Sequence, residues 1–227
     1  MAFSPMDSQR EHPFALRVRS KAVLCSVLSE VFGYPSVECA EELATFDAVD
    51  QCRELARAAR LDFEDALGLA GLPVEWFDSH CVPDEPDSRL SPGRQLRAEC
   101  TRLFWSYPRL VRLEGRHWAK SDRRGEVVAV RECYRELGLR NQEGVNAPVD
   151  VLASELDYAG YVLRAEADAW DGEDSLSALE WHKLYVSFVD AHLRPCAMGV
   201  AMATFEHVRN AHVRFYAALL MSVVAET

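Results

Sequence analysis

At 227 residues the chain is long enough for one large domain with its own core, with no need of a disulfide or metal staple. Apolar residues make up 49% and charged residues 27% of the chain, which excludes disorder over most of its length. The net charge of −11, from 25 basic and 36 acidic side chains, argues against nucleic acid or an anionic membrane surface as the main partner.

Seven cysteines (25, 39, 52, 81, 100, 133 and 196) are scattered without a C-x-x-C pair, so neither a disulfide framework nor a zinc site is indicated, and a reducing cytosol fits. Met1 to Glu11 has no apolar run that could serve as a signal peptide, and no window approaches the roughly 18 apolar residues of a membrane span.

Residues 1–12 are polar, contain Pro5 and are expected to form a mobile tail. From Phe14 to Phe32 apolar residues recur at three- and four-residue steps until Gly33-Tyr34-Pro35 stops the pattern, predicting a core helix. Val37 to Phe46, Gln51 to Arg60 and Asp62 to Leu69 read as three short helices. Three prolines and three acids from Cys81 to Pro92 mark a linker and a candidate hinge over 81–92, dividing two helical halves. Ser91-Pro92 opens a helix through Leu96, Cys100, Leu103 and Phe104. Tyr107 to Arg124 then reads as a loop of about eighteen residues, longer than most in compact domains and of the kind that is often functional.

Glu126 to Leu137 is predicted helical, with Gly138 closing it and a turn-rich connection from Asn141 to Asn146. From Pro148 the steps Leu152, Leu156, Ala159 and Leu163 predict a long helix to about Trp170. Ser177-Ala-Leu-Glu180 fits a capping box opening the next helix, with Trp181, Leu184, Phe188 and His192 on one side. Pro195 begins a last helix of about seven turns through Met198, Ala201, Phe205, Val208, His212, Phe215 and Leu219. With no strand-like alternation, residues 13–227 are expected to form a single all-α domain of about nine to ten helices.

Little here announces catalysis. Glu114-Gly-Arg-His117 is the one Glu-x-x-His match, where a di-iron bundle needs two and further glutamates. Asp168, Asp171, Glu173 and Asp174 cross a helix end and read as a solvated acidic turn rather than a magnesium site. His192 and His212 sit on apolar faces and read as core histidines. A metal-dependent helical enzyme acting on a diphosphate or haem-like substrate rests only on these features. No metal or other cofactor of its own is expected.

Leu103, Phe104, Tyr107 and Trp118 gather around the start of the long loop, as core or as an apolar groove for a partner segment. The stretch Asn146 to Leu156 joins a proline, an early carboxylate and a Glu-Leu pair at a helix start, a candidate recognition edge. Asn146-x-Pro148-x-Asp150 followed by Glu155-Leu156 resembles the Glu-Pro-x-Asp-His loop and Glu-Leu helix of the TorD/DmsD/NarJ family of chaperones that mature molybdenum redox enzymes. Ala147 stands where that family has Glu, and Val151 where it has His. Phe188-Val-Asp-Ala-His192-Leu193-Arg-Pro195-Cys196 is similar to its Phe-x-x-x-His-Leu-x-Pro-Trp. Tyr34-Pro35, Leu103-Phe104, and Glu114 with Trp118 resemble further pieces in the same order.

The resemblance implies a cytoplasmic, non-catalytic helical chaperone, either monomeric or a homodimer. It would bind the twin-arginine signal peptide or the apo form of a molybdopterin oxidoreductase catalytic subunit until its cofactor is loaded. A NarJ-like chaperone for a non-exported enzyme is the alternative. Asp150, Pro148, Glu155, Leu103, Phe104, Trp118 and His192 are then the expected peptide-binding residues. Such a peptide presents guanidinium groups and an apolar stretch, which call for carboxylates beside an apolar groove.

Overall fold

The computed structural model describes residues 12–72, 89–119, 122–139 and 148–225. Helix α1 spans Pro13–Phe32, with Pro13 in the first turn and His12 accepting the Phe14 N–H at 3.3 Å. Helices α2 (Val37–Leu43) and α3 (Phe46–Ala58) are capped by Ser36 and Thr45, and α4 spans Phe63–Leu69. The Thr45 hydroxyl accepts the Ala48 N–H at 3.2 Å, so α3 begins five residues before its expected start.

Helix α5 (Pro92–Cys100) runs without a break into a π-helical turn, Thr101–Trp105. After a short 3-10 turn at Gly115–His117 comes α6, Arg123–Glu136, its N-terminus capped by Asp122. Then follow α7 (Leu152–Asp171) and α8 (Ser175–Phe188), a second π-helical turn at Val189–Leu193, α9 (Arg194–His207) and α10 (Ala211–Ala225). The described residues contain no strand, only an isolated antiparallel bridge between Glu114 and Val151, and the chain is an all-α domain. No described helix is long and apolar enough to cross a membrane.

Three expected boundaries move for identifiable reasons. Helix α7 begins at Leu152 rather than Pro148, because Val151 is held extended (φ −84°, ψ 136°) by its bridge to Glu114. Helix α8 begins at Ser175, where Asp174 accepts the Ser177 N–H at 3.1 Å, so Ser177 lies inside the helix instead of capping it. The single last helix is two. Val208 is extended, the Arg209 N–H donates to Glu99 Oε1 at 2.6 Å, and Asn210 Oδ1 accepts the Val213 N–H at 3.1 Å to start α10. Residues 1–11 of the expected tail, 81–88 of the expected hinge and the turn at 141–146 lie outside the described residues.

Helix α10 is apolar all round, with thirteen of its fifteen residues buried, so it forms the centre of the core. Around it stand α1, α4, α5 and α9. The closest seam joins α1 to α7 in antiparallel sense. Arg19 pairs with Asp171 at 2.6 Å, Gly160 packs on Ala22 and Cys25, and Ser29 Oγ donates to Ala153 O at 3.1 Å. Small residues on both faces let the two backbones approach.

The two sides of the chain on either side of residues 73–88 are tied by Glu41 on α2, which accepts the Ser91 hydroxyl and, at 3.2 Å, the Gly93 N–H. A Cβ at Gly93 would collide with the backbone of Ala40 and Glu41. Overpacking at such a contact costs about 1–3 kcal/mol. Gly93→Ala is therefore expected to lower thermal stability by that amount, measured by denaturant unfolding, while Gly125→Ala, where a methyl meets only open space, should not.

Candidate functional site

The loop from Leu110 to Trp118 is irregular, and its shape is imposed by residues far away in sequence. Gly115 N donates to Asp150 O at 2.6 Å, and Leu152 N donates to Leu113 O at 2.9 Å. The Asp150 carboxylate is fully buried and accepts from the Arg116 N–H at 3.1 Å, from its Nε at 2.7 Å, and from its Nη2. A bidentate guanidinium pair plus a backbone donor satisfies both oxygens. Asp150 is thus the latch that closes the long loop onto the start of α7, rather than an exposed edge.

Glu155, one turn into α7, is also fully buried, and neither of its carboxylate oxygens has a hydrogen-bond partner among the described residues. Burial, with Glu126 and Asp150 close by, pushes its carboxyl well above the ordinary carboxylate range. A methyl on Gly115 would stand 2.6 Å from Glu155 Oε1, which explains a glycine at this point of the loop. His192, in the second π-helical turn, bonds through Nδ1 to buried Glu126 at 2.7 Å. That acid lies on α6, 66 positions away, so no step along one helix could have suggested it.

Trp118 lies flat on Gly199 of α9, where a Cβ would strike its ring, and its Nε1 donates to Arg112 O at 2.9 Å. Cys196, one turn earlier on α9, is buried against Leu113 O at 3.8 Å, and burial raises its thiol well above the ordinary range. Leu103 and Phe104 are fully buried core residues, Phe104 meeting Phe32 at 5.5 Å between ring centroids, while Tyr107 is 99% exposed. Leu103 and Phe104 thus take the core alternative of the two the sequence left open. Pro148 is exposed beside Asp150. Asn146 and Ala147 lie outside the described residues.

An apolar groove lies elsewhere. A cleft of about 660 Å³ opens between α1, α7, α8 and the end of α10, with Phe14, Val18, Leu163, Trp170, Leu179 and Ala225 among its lining. Glu166 lies buried at its side, 3.2 Å from His182 Nδ1. Burial raises the Glu166 carboxyl against the opposing pull of His182. The basic side chains Arg17 and Lys21 of α1 also line the cleft. Its lining comes from four helices spread over the chain, so periodicity within any one of them could not reveal it. Among the described residues no cluster of His, Cys, Asp and Glu could hold a metal ion.

A family model described as "Nitrate reductase delta subunit" matches residues 48–198. That span is most of the chain and contains every element of the latch. The chain belongs to the nitrate reductase delta subunit family. This is a family of TorD/NarJ-type chaperones for molybdoenzymes, which serve nitrate-reductase-type catalytic subunits and are not catalytic. No curated protein and no solved structure matches the chain. Helices α1 and α10, which cover the delta-family segment from either end, fall outside the matched span.

Two outcomes test this geometry in the delta-family chain. Arg116→Ala leaves Asp150 as an uncompensated buried charge and is expected to cost about 3–5 kcal/mol in denaturant unfolding, most of it recovered in Arg116→Ala/Asp150→Asn. For Glu155, a carboxyl raised on folding gives stability that is complete below its ordinary value of 4.5 and is lost as pH rises through the folded value. The melting temperature of Glu155→Gln should therefore fall less than that of the parent between pH 5 and pH 8.

Proposed function

We propose that this protein is a cytoplasmic assembly chaperone that holds the N-terminal segment of an apo molybdoenzyme catalytic subunit until the cofactor is in place. Membership of the delta subunit family is the observation that carries this reading. The cleft between α1, α7 and α8 supports a binding surface for it. Amphipathic segments dock through apolar side chains into grooves of this kind. Phe14, 55% exposed, and Leu179, 47% exposed, are large apolar side chains left uncovered at its mouth.

The latch has an indirect part in this proposal. Asp150, Glu155, His192, Leu103 and Phe104 fix the loop and the ends of α7 and α9, and Pro148 and Trp118 are the expected residues within reach of a ligand. A twin-arginine leader is the second reading. It rests on the resemblance of residues 146–156 to the leader-binding chaperones, whereas Arg17 and Lys21 in the cleft's lining work against a cationic leader there.

Calorimetric titration with the N-terminal peptide of a nitrate-reductase-type catalytic subunit from the same organism tests the proposal. Leu179→Asp is expected to weaken binding at least tenfold while helical content holds. Absence of binding by the parent protein sinks the chaperone reading. Loss of affinity on Arg-to-Gln changes in the peptide identifies a twin-arginine leader, and indifference to them identifies the N-terminus of a non-exported subunit.

A further inference from the structure

A second surface, on the opposite side of α1's C-terminal end from this cleft in the chain's connectivity, has a different character. Between Arg89 and Arg124 the sequence carries ten basic and three acidic side chains, a local charge of +7 in a chain of net −11. Three of these arginines pair with carboxylates of the chain, Arg102 with Glu99, Arg109 with Glu114 and Arg116 with Asp150. Arg97 and Arg109 frame an aromatic row. The Arg97 guanidinium lies 4.6 Å from the centre of the Tyr34 ring, Tyr34 meets Trp105 edge-on at 5.7 Å, and Arg109 lies 5.6 Å from Trp105.

This row is exposed. Tyr34 is 41% and Trp105 39% accessible, and the loop after Trp105 projects Tyr107, 99% accessible, and Leu110, 42%. Tyr34 sits at φ 70°, a conformation that costs a non-glycine residue of order 1–3 kcal/mol and is retained only where the surroundings fix it. Arg94 is exposed one turn before Arg97 on α5, the same face of the helix. Neither has a carboxylate within ion-pair distance among the described residues, whereas Arg109 holds Glu114 at 2.7 Å.

We infer that this row docks an acidic polypeptide segment of a protein partner that also presents apolar or aromatic side chains. Carboxylates would pair with Arg94 and Arg97, and the apolar groups would stack on Trp105 and Tyr107. A lipid surface suits the same residue types less well. Helix α2 packs beside α5, and its fully exposed Glu38 lies close enough to feel the Arg97 charge, so a flat anionic bilayer would meet that acid while a narrow peptide need not. The proposal stands apart from the cleft: none of its residues lines it.

Fluorescence anisotropy on the full chain tests it with a labelled peptide of Glu-Glu-Phe repeats, its lysine-for-glutamate counterpart, and sedimentation with phosphatidylserine vesicles. The acidic peptide is expected to bind, more weakly as salt rises. Arg94→Gln/Arg97→Gln should weaken it at least tenfold and Tyr107→Ser about threefold, with circular dichroism and affinity for the N-terminal peptide unchanged. No binding of the acidic peptide overturns the proposal. Equal binding of the lysine peptide, indifference to these substitutions, or vesicle binding that depends on the same arginines would also overturn it.

Discussion

The close antiparallel contact between α1 and α7 is the constraint on which the other elements depend. Ala22, Cys25 and Ser29 on one side and Ala153 and Gly160 on the other keep the backbones near enough for a side chain to bond a main-chain carbonyl across the seam. The ends of this pair set two environments. Where α1 begins and α7 finishes, His12 stacks on Trp170 at 5.3 Å and Arg19 reaches Asp171, forming one end of the cleft. Where α1 finishes and α7 begins, the aromatic row and the latch stand near one another in the chain order of their elements.

At the start of α7 the electrostatics divide two carboxylates that are equally buried. Asp150 is paired through both oxygens with Arg116, while Glu155 has no hydrogen-bond partner among the described residues and burial raises its carboxyl. Ionising both would place like charges in a site that water does not reach, which is unfavourable at any separation this short. Removing the guanidinium changes the balance for both acids, and a variant at either position reports on the other.

The two long helices were legible in the sequence because their apolar steps are regular and their neighbours are small. The break before α10 was hidden by that same regularity: Phe205, Val208 and His212 keep the helical step across a segment that is extended. Asn210, a good cap three residues before Val213, was the local sign of it. The Pro148-Asp150 and Glu155 pieces pointed to the family, yet their internal role could not be read. Arg116 is 34 positions from Asp150 and Glu126 is 66 from His192, and each lies in a stretch with several equivalent charges. Leu103 and Phe104 carry the same ambiguity, since large apolar residues look alike whether they line a groove or fill the core.

The π-helical turn at Val189–Leu193 joins α8 to α9 with no coil between them, so Ser175 to His207 is one continuous rod. Near one end Leu179 and His182 form a wall of the cleft, and near the other Gly199 is the seat of Trp118. In mechanical terms the rod is a lever with its single soft joint at His192, because an extra residue in a turn loosens the regular bonding ladder there. Displacing the wall of the cleft loads the same beam that carries the irregular loop, with the His192–Glu126 bond as the pin at the joint.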